Sequence, residues 1–152
     1  MREACGKALI ALSALGLGTG AAAEWVVVTR NPANGATTSY DTTRVRRTGQ
    51  VLEVWTRADG AGHKAVILDY YRRNGMSPSQ TQMVEERFAR RLTKWRIDCT
   101  AASARTLAIG DYDAAGEAFY STEVPGQDGA IYPDSVVDAA AQRLCAKPRA
   151  RK

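Results

Sequence analysis

The chain has 152 residues, 45% of them hydrophobic, with 21 Lys plus Arg against 16 Asp plus Glu and a formal net charge of +5. This length is typical of one domain, which can bury roughly two thirds of its unfolded surface without a metal or a set of disulfides. The composition excludes collagen-like, coiled-coil, disordered and disulfide-knot proteins. Because the basic excess is small and both signs are mixed along the chain, the sequence does not predict a nucleic-acid-binding protein.

Residues 1–23 have the features of a secretory signal peptide. Arg2 and Lys7 make the start positive, ten apolar or small residues follow at 8–17, and the segment ends in three alanines before Glu24. Such a start, apolar run and small-residue cleavage site direct a chain to export. Ten residues of helix rise about 15 Å, half of the roughly 30 Å hydrocarbon core, so no transmembrane anchor is predicted. The predicted location is the periplasm or the cell surface of a Gram-negative bacterium.

We predict that the signal peptide is cleaved between Ala23 and Glu24. Intact-mass spectrometry of the exported protein should give the mass of a chain that begins at Glu24. Cys5 precedes the apolar run, whereas a lipoprotein cysteine directly follows it, so lipidation is not expected. A species that retains residues 1–23, or one that carries acyl chains on Cys5, would contradict the prediction.

The first half of the mature chain contains four segments of β type. Glu24–Arg30 is rich in β-branched residues and stops at a cluster of turn formers. Two further runs, Thr37–Arg47 and Gln50–Arg57, meet next to Gly49, which can supply the positive φ of a tight hairpin. The apolar run Ala65–Tyr71 is predicted to be a fourth strand.

The second half of the sequence predicts a helix or insertion, one strand and a second hairpin. Residues 79–90 have apolar positions near helical spacing and are interpreted as a helix or an irregular insertion. Residues 92–100 alternate as a strand does. Thr106–Tyr112 and Glu117–Thr122 flank an Asp-x-x-Gly turn, which predicts a hairpin.

The last predicted element is a helix that begins at Ser135 and ends before Pro148. The Ser135 side chain can accept the N–H of Asp138 while Asp138 reaches back, which is the capping-box arrangement. One apolar stripe runs along this helix and includes Val137, Ala140, Ala141, Leu144 and Cys145.

Alternation places Cys99 on the apolar side of its strand, and Cys145 lies on the apolar stripe of the last helix. Once the signal peptide is removed, these two cysteines remain, and in an exported chain they predict one Cys99–Cys145 disulfide, with two free thiols as the alternative. Such a bond would pin the helix onto the sheet.

Several short motifs follow one another between residues 25 and 145. They are Trp25, the run Tyr40-Asp41-Thr42-Thr43-Arg44-Val45-Arg46-Arg47-Thr48-Gly49, Val54-Trp55, Ile97-Asp98-Cys99, Tyr112 to Gly116, Pro133-Asp134-Ser135 and Cys145. This succession resembles the bacterial surface-adhesin protein E family. The resemblance implies an α+β domain with an antiparallel sheet of about five or six strands and a C-terminal helix packed across one face. It also implies a disulfide from helix to sheet, a homodimer as one arrangement, and binding to host extracellular-matrix and plasma proteins.

The sequence contains no recognisable catalytic or metal-binding set. A catalytic site needs a nucleophile with its base, or paired carboxylates in a cleft. His63 lies in a Gly-rich segment and is interpreted as a surface-loop residue. Asp111 and Asp113 are interpreted as turn acids, because they do not complete a calcium loop. Haem ligation by His63 with Tyr70, Tyr71 and Met76 is disfavoured against aromatic packing. No enzyme activity, metal or cofactor is predicted.

Two groups of basic residues predict a positively charged binding surface. The first lies on one strand and comprises Arg44, Arg46 and Arg47; the second is a basic, disordered tail at 147–152 that comprises Lys147, Arg149, Arg151 and Lys152. Losing Arg2, Lys7 and Glu3 takes the formal net charge from +5 to +4, which the tail alone could supply. Long-range attraction should therefore come largely from the tail. The expected partner is an unknown protein or an anionic envelope or matrix ligand.

The sequence predicts that residues 24–146 form an exported, noncatalytic binding domain that contacts host matrix proteins or envelope components. One alternative is a periplasmic inhibitor or envelope-stress factor that blocks an enzyme through a loop at 58–64 or 123–131. The other alternative is a hydrolase whose acids converge only in the fold.

Overall fold

A computed structural model describes residues 22–146, in which eight strands and three helices form the domain. Most of the predicted signal peptide and the whole predicted tail lie outside these residues. The strands are β1 Trp25–Arg30, β2 Thr37–Asp41, β3 Arg46–Thr48, β4 Val51–Asp59, β5 Arg90–Asp98, β6 Ser103–Tyr112, β7 Ala118–Glu123 and β8 Gly129–Ala130. The helices are α1 Ala61–Arg73, α2 Pro78–Arg87 and α3 Val136–Leu144. One antiparallel sheet has the order β1-β2-β4-β5-β6-β7, with β3 beside β4 and β8 beside β6. This confirms the α+β fold with a C-terminal helix.

The run predicted as one strand at 37–47 is divided by a turn of 3-10 helix at Thr42–Arg44. Asp41 causes the break, because its Oδ1 accepts hydrogen bonds from the Thr43 N–H at 2.9 Å and the Thr43 hydroxyl at 2.7 Å. The short β3 then pairs with β4, and Gly49 takes a φ of 62° between them. The predicted hairpin at Gly49 is confirmed.

The prediction of a fourth strand at Ala65–Tyr71 is wrong, since these residues belong to α1. The buried positions of the run are Ile67, Leu68 and Tyr71, at helical spacing, whereas Val66 is 63% exposed. A strand would instead bury every second side chain. A short apolar run fits a buried strand or a helix equally well, and here the packing of α1 against α2 selects the helix.

The second half follows the predicted order closely. The segment 79–90, interpreted as a helix or an insertion, overlaps α2, which begins at Pro78 with a complete capping box between Ser77 and Gln80. The hairpin of β6 and β7 is confirmed, with Gly116 at a φ of 88° in its turn. At the start of α3 the Ser135 hydroxyl accepts the Asp138 N–H at 3.1 Å. The Asp138 carboxylate instead accepts the N–H of Asp134.

All three helices lie on one face of the sheet, which we call the helix face. Strand pairing sets Leu52 opposite Ile97 and Arg91 opposite Asp111, so these side chains share that face. Two apolar clusters fill the space beneath the helices. One joins α1 to α2 and contains Ile67, Leu68, Tyr71, Val84 and Phe88; the other lies under α3 and contains Leu52, Val54, Ile97 and Ala141.

The predicted disulfide is present between Cys99, just after β5, and Cys145, just after α3. The two Cα atoms are 5.4 Å apart, within the range that a disulfide can span. Both cysteines pack against the cluster beneath α3. The bond therefore ties the C-terminal helix to the helix face.

Candidate binding surface on the open sheet face

The opposite face of the sheet, which we call the open face, carries none of the three described helices. Its residues follow from alternation with the helix-face residues of the same strands. In the centre of the sheet they include Glu53, Trp55, Arg57, Arg90, Leu92, Lys94, Arg96, Arg105 and Ala108. The open face therefore combines a central tryptophan and short apolar side chains with many charges.

Trp55 is the wall between two hollows on the open face. On one side it borders a hollow of about 270 Å³ whose other walls come from β6 and β7. On the other side it borders a hollow of about 230 Å³, lined also by Thr43, Arg44, Arg46, Glu53 and Lys94. Trp55 therefore offers contact area to a ligand in either hollow.

A third hollow, of about 540 Å³, shares Lys94 with the second and extends to Arg105 and Pro125. The segment after β7 forms its rim. The Arg105 Nη1 donates to the Gly126 carbonyl at 2.8 Å, and both Arg96 and Arg105 contact the Asp128 carboxylate. Since Arg96 and Arg105 lie directly opposite each other in the sheet, Asp128 offsets their repulsion.

Positive charge predominates in the hollow of about 230 Å³ that Thr43 and Trp55 line. Lys94 Nζ lies 2.7 Å from Glu53 Oε2. The hydrogen bond from Lys94 lowers the pKa of Glu53, and the charges of Arg46 and Arg96 lower it further. Three cationic side chains, Arg44, Arg46 and Lys94, thus line this hollow with one ionised carboxylate.

The structure separates the three arginines that the sequence groups on one strand. Arg44 follows the end of β2, where its Nε lies 3.3 Å from the buried carboxylate of Asp41. Arg46 and Arg47 are neighbours on β3 and point to opposite faces, because Arg46 lies opposite Glu53 and Arg47 opposite Leu52. On the helix face, Arg47 Nη2 donates to the Leu144 carbonyl at 2.6 Å, at the end of α3.

Only Arg44 and Arg46 of the predicted binding residues therefore line a common hollow. Lys147, Arg149, Arg151 and Lys152 lie outside the described residues. Sequence reasoning missed Trp55 as a site residue and did not place Lys94 in the predicted binding set. The signal was present in the alternation of β4, where Trp55 follows Val54 and must face away from it.

The family model of surface-adhesin protein E matches residues 25–146. The chain belongs to the surface-adhesin protein E family. Membership supports an adhesin-like role and an exported or surface location, and it favours a noncatalytic function over an enzyme. No curated protein and no solved structure matches the chain significantly. Among the described residues, no helix is long and apolar enough to cross a membrane.

The geometry of this adhesin-family domain gives little support to a hydrolase. In the part of the chain that the structure describes, the two fully buried carboxylates are Asp41 and Asp111. Asp41 lies on the open face and Asp111 on the helix face, so the two cannot act as a catalytic pair. Within residues 22–146 no group of three or more His, Cys, Asp or Glu side chains could hold a metal ion.

Two of the residues considered as haem ligands, His63 and Tyr71, have structural partners. His63 lies on α1 and not in a loop, with its Nε2 3.1 Å from the Thr38 hydroxyl; burial lowers its pKa. Tyr71 is buried and donates to Asp111, while Tyr70 is 57% exposed on the outer side of α1. The segment 58–64, considered as an inhibitory loop, is divided between the end of β4 and the start of α1.

Proposed function

We propose that this domain is an exported, noncatalytic adhesin module that binds a component of the host extracellular matrix through its open face. The observation that supports this most strongly is the position of Trp55, which stands between two hollows on a sheet face that carries no described helix. Its surroundings are cationic on one side, which suits the acidic components of a matrix. The helix face, by contrast, is used for the core.

Physical properties of the open face fit a binding role. Six strands lie side by side in the main part of the sheet. With roughly 4.8 Å between neighbouring strands, they make a surface about 24 Å wide. Tryptophan and arginine dominate the energy of protein interfaces when they occupy central pockets surrounded by polar residues. Trp55 has this position, with Arg46, Lys94 and Glu123 around it. Because the sheet is rigid, little ordering entropy is lost when a ligand docks.

Replacement of Trp55 by Ala should weaken binding to immobilised matrix glycoproteins by about 30-fold, the equivalent of the ~2 kcal/mol that a central aromatic contributes. Biolayer interferometry with purified exported protein measures the change. Tyr70→Ala is the matched control, because Tyr70 is an exposed aromatic on α1, on the opposite side of the domain. It should bind as the unmodified protein does.

Two outcomes would contradict the proposal. In the first, Trp55→Ala retains full affinity while its circular dichroism and melting temperature match the unmodified protein. In the second, Tyr70→Ala loses as much affinity as Trp55→Ala, which would place the contact outside the open face. Sedimentation of each variant shows whether a second copy of the chain, rather than a matrix component, occupies the face.

A further inference from the structure

We infer that the hollow lined by Thr43, Arg44, Arg46, Glu53, Trp55 and Lys94 binds an acidic sugar unit of a sulfated glycosaminoglycan. This inference rests on the proposed function, because it concerns the same open face, and it names the chemical group that the face recognises. The hollow measures about 230 Å³. We call it the cationic hollow.

The cations of the hollow come from three separate parts of the fold. Arg44 lies in the 3-10 turn after β2, Arg46 on β3 and Lys94 on β5. Arg44 is held by Asp41 and Lys94 by Glu53, whereas Arg46 makes no ion pair within the described residues. Guanidinium groups bind planar or tetrahedral oxyanions with two parallel hydrogen bonds, which is stronger than a single contact. Arg46 is therefore the residue best placed to take a sulfate or carboxylate.

The hollow also has the features that distinguish a sugar from a simple anion. The Trp55 ring offers an apolar surface on which the C–H groups of a pyranose can pack. Glu53 stays ionised beside Lys94 and can accept a hydrogen bond from a sugar hydroxyl. The side chains of an Asp- and Glu-rich peptide supply no hydroxyl donors for Glu53, whereas a sugar ring carries them beside its acidic groups. The combination of an ionised acceptor, an aromatic wall and three cations fits an acidic sugar better than an acidic protein segment.

The size and surroundings of the hollow indicate a polymer. Its volume is below the roughly 300–1,000 Å³ of sites that enclose a drug-sized ligand, so it can take only one ring of a larger molecule. The hollow that contains Arg105 begins on the other side of Lys94. Strand pairing places Arg46, Glu53, Arg96 and Arg105 in one row across β3, β4, β5 and β6. That row spans three strand spacings, about 14 Å, and successive acidic groups along a glycan would follow it.

The test compares two double variants with the same loss of charge. Arg46→Gln with Lys94→Gln removes two cations from the cationic hollow. Arg72→Gln with Arg143→Gln, the matched control, removes two exposed cations from α1 and α3. A heparin hexasaccharide is the probe, and isothermal titration calorimetry at several salt concentrations measures its affinity for the full chain.

The hollow variant should bind heparin at least 10-fold more weakly, and the control within about 2-fold of the unmodified protein. The slope of log affinity against log salt should fall in magnitude by about two for the hollow variant, since roughly one counterion is released per contact with a polyanion. Trp55→Ala should weaken heparin binding without changing this salt dependence, because it removes no charge. Desulfated heparin should bind at least 10-fold more weakly than heparin.

The inference is wrong if the control double variant loses as much heparin affinity as the hollow variant, because attraction would then be nonspecific. It is also wrong if a polyglutamate peptide binds as tightly as heparin. Binding to matrix from which glycosaminoglycan lyases have removed the glycans separates this inference from the proposed function. If the protein still binds treated matrix and Trp55→Ala weakens that binding, the glycan inference fails while the proposed function survives. If Trp55→Ala changes binding to neither matrix, both fail.

Discussion

Replacement of Arg91 by Met should destabilise the domain by about 3–5 kcal/mol, the usual result of leaving one member of a buried ion pair without its partner. Arg91 Nε and Nη2 lie 2.7 and 2.8 Å from the two carboxylate oxygens of Asp111, which is 0% exposed. Without Arg91, the Asp111 charge would lie beneath the helices with only the Tyr71 hydroxyl, 3.2 Å away, as a donor. Urea unfolding followed by circular dichroism measures the loss.

Two further variants isolate the cause of that loss. Tyr71→Phe keeps the ion pair and removes one hydrogen bond, so it should cost only about 1 kcal/mol. Arg91→Met combined with Asp111→Leu removes both charges and should recover most of the stability lost by the single variant. Unchanged stability of Arg91→Met would show that Asp111 is not a desolvated charge. A double variant as unstable as the single one would assign the loss to packing.

The Arg91 and Asp111 pair has a clear place in the fold. Both residues lie on the helix face, where α1 and α2 meet the sheet, and Tyr71 of α1 contacts both of them. Burial, together with the nearby Asp111 charge, raises the pKa of Tyr71 to about 12, so the phenol keeps its proton and remains a donor. The cluster thereby fixes the helix pair on the helix face of the sheet.

Removing the disulfide by Cys99→Ala with Cys145→Ala should cost about 4 kcal/mol, because the bond closes a span of 46 residues in the unfolded chain. The melting temperature should fall by roughly 10–20 °C. Differential scanning calorimetry of the purified exported protein measures this fall. Adding a reductant should lower the melting temperature of the unmodified protein and leave that of the double variant unchanged.

The same variant tests what else holds α3 in place. Arg47 still donates to the Leu144 carbonyl, and Ala141 still packs in the core. Hydrogen exchange should therefore speed up in α3 more than in β4, which is bonded on both sides. Free thiols in the oxidised, exported protein would contradict the presence of the bond. Equal melting temperatures for both proteins would show that packing alone holds the helix.

The sequence determined the elements that depend on neighbouring residues. Gly49 and Gly116 mark hairpin turns because a positive φ is needed there, and Ser135 marks a helix start because its hydroxyl accepts a nearby N–H. Predicting the disulfide required no knowledge of the fold, because only two cysteines follow the predicted cleavage site. The order of short motifs was sufficient to indicate the family.

The tertiary structure alone decided which distant residues meet. The run at 65–71 is compatible with a strand or a helix, and its packing against α2 makes it a helix. Adjacent residues of a strand point to opposite faces, but only the pairing of β3 with β4 shows that Arg46 is the one on the open face. Trp55 and Lys94 are far apart in the chain and lie opposite each other only because β4 pairs with β5 in that register. Local alternation can assign a residue to one face of its strand, but which strands pair depends on contacts between distant segments, so only the fold brought these residues together at the candidate site.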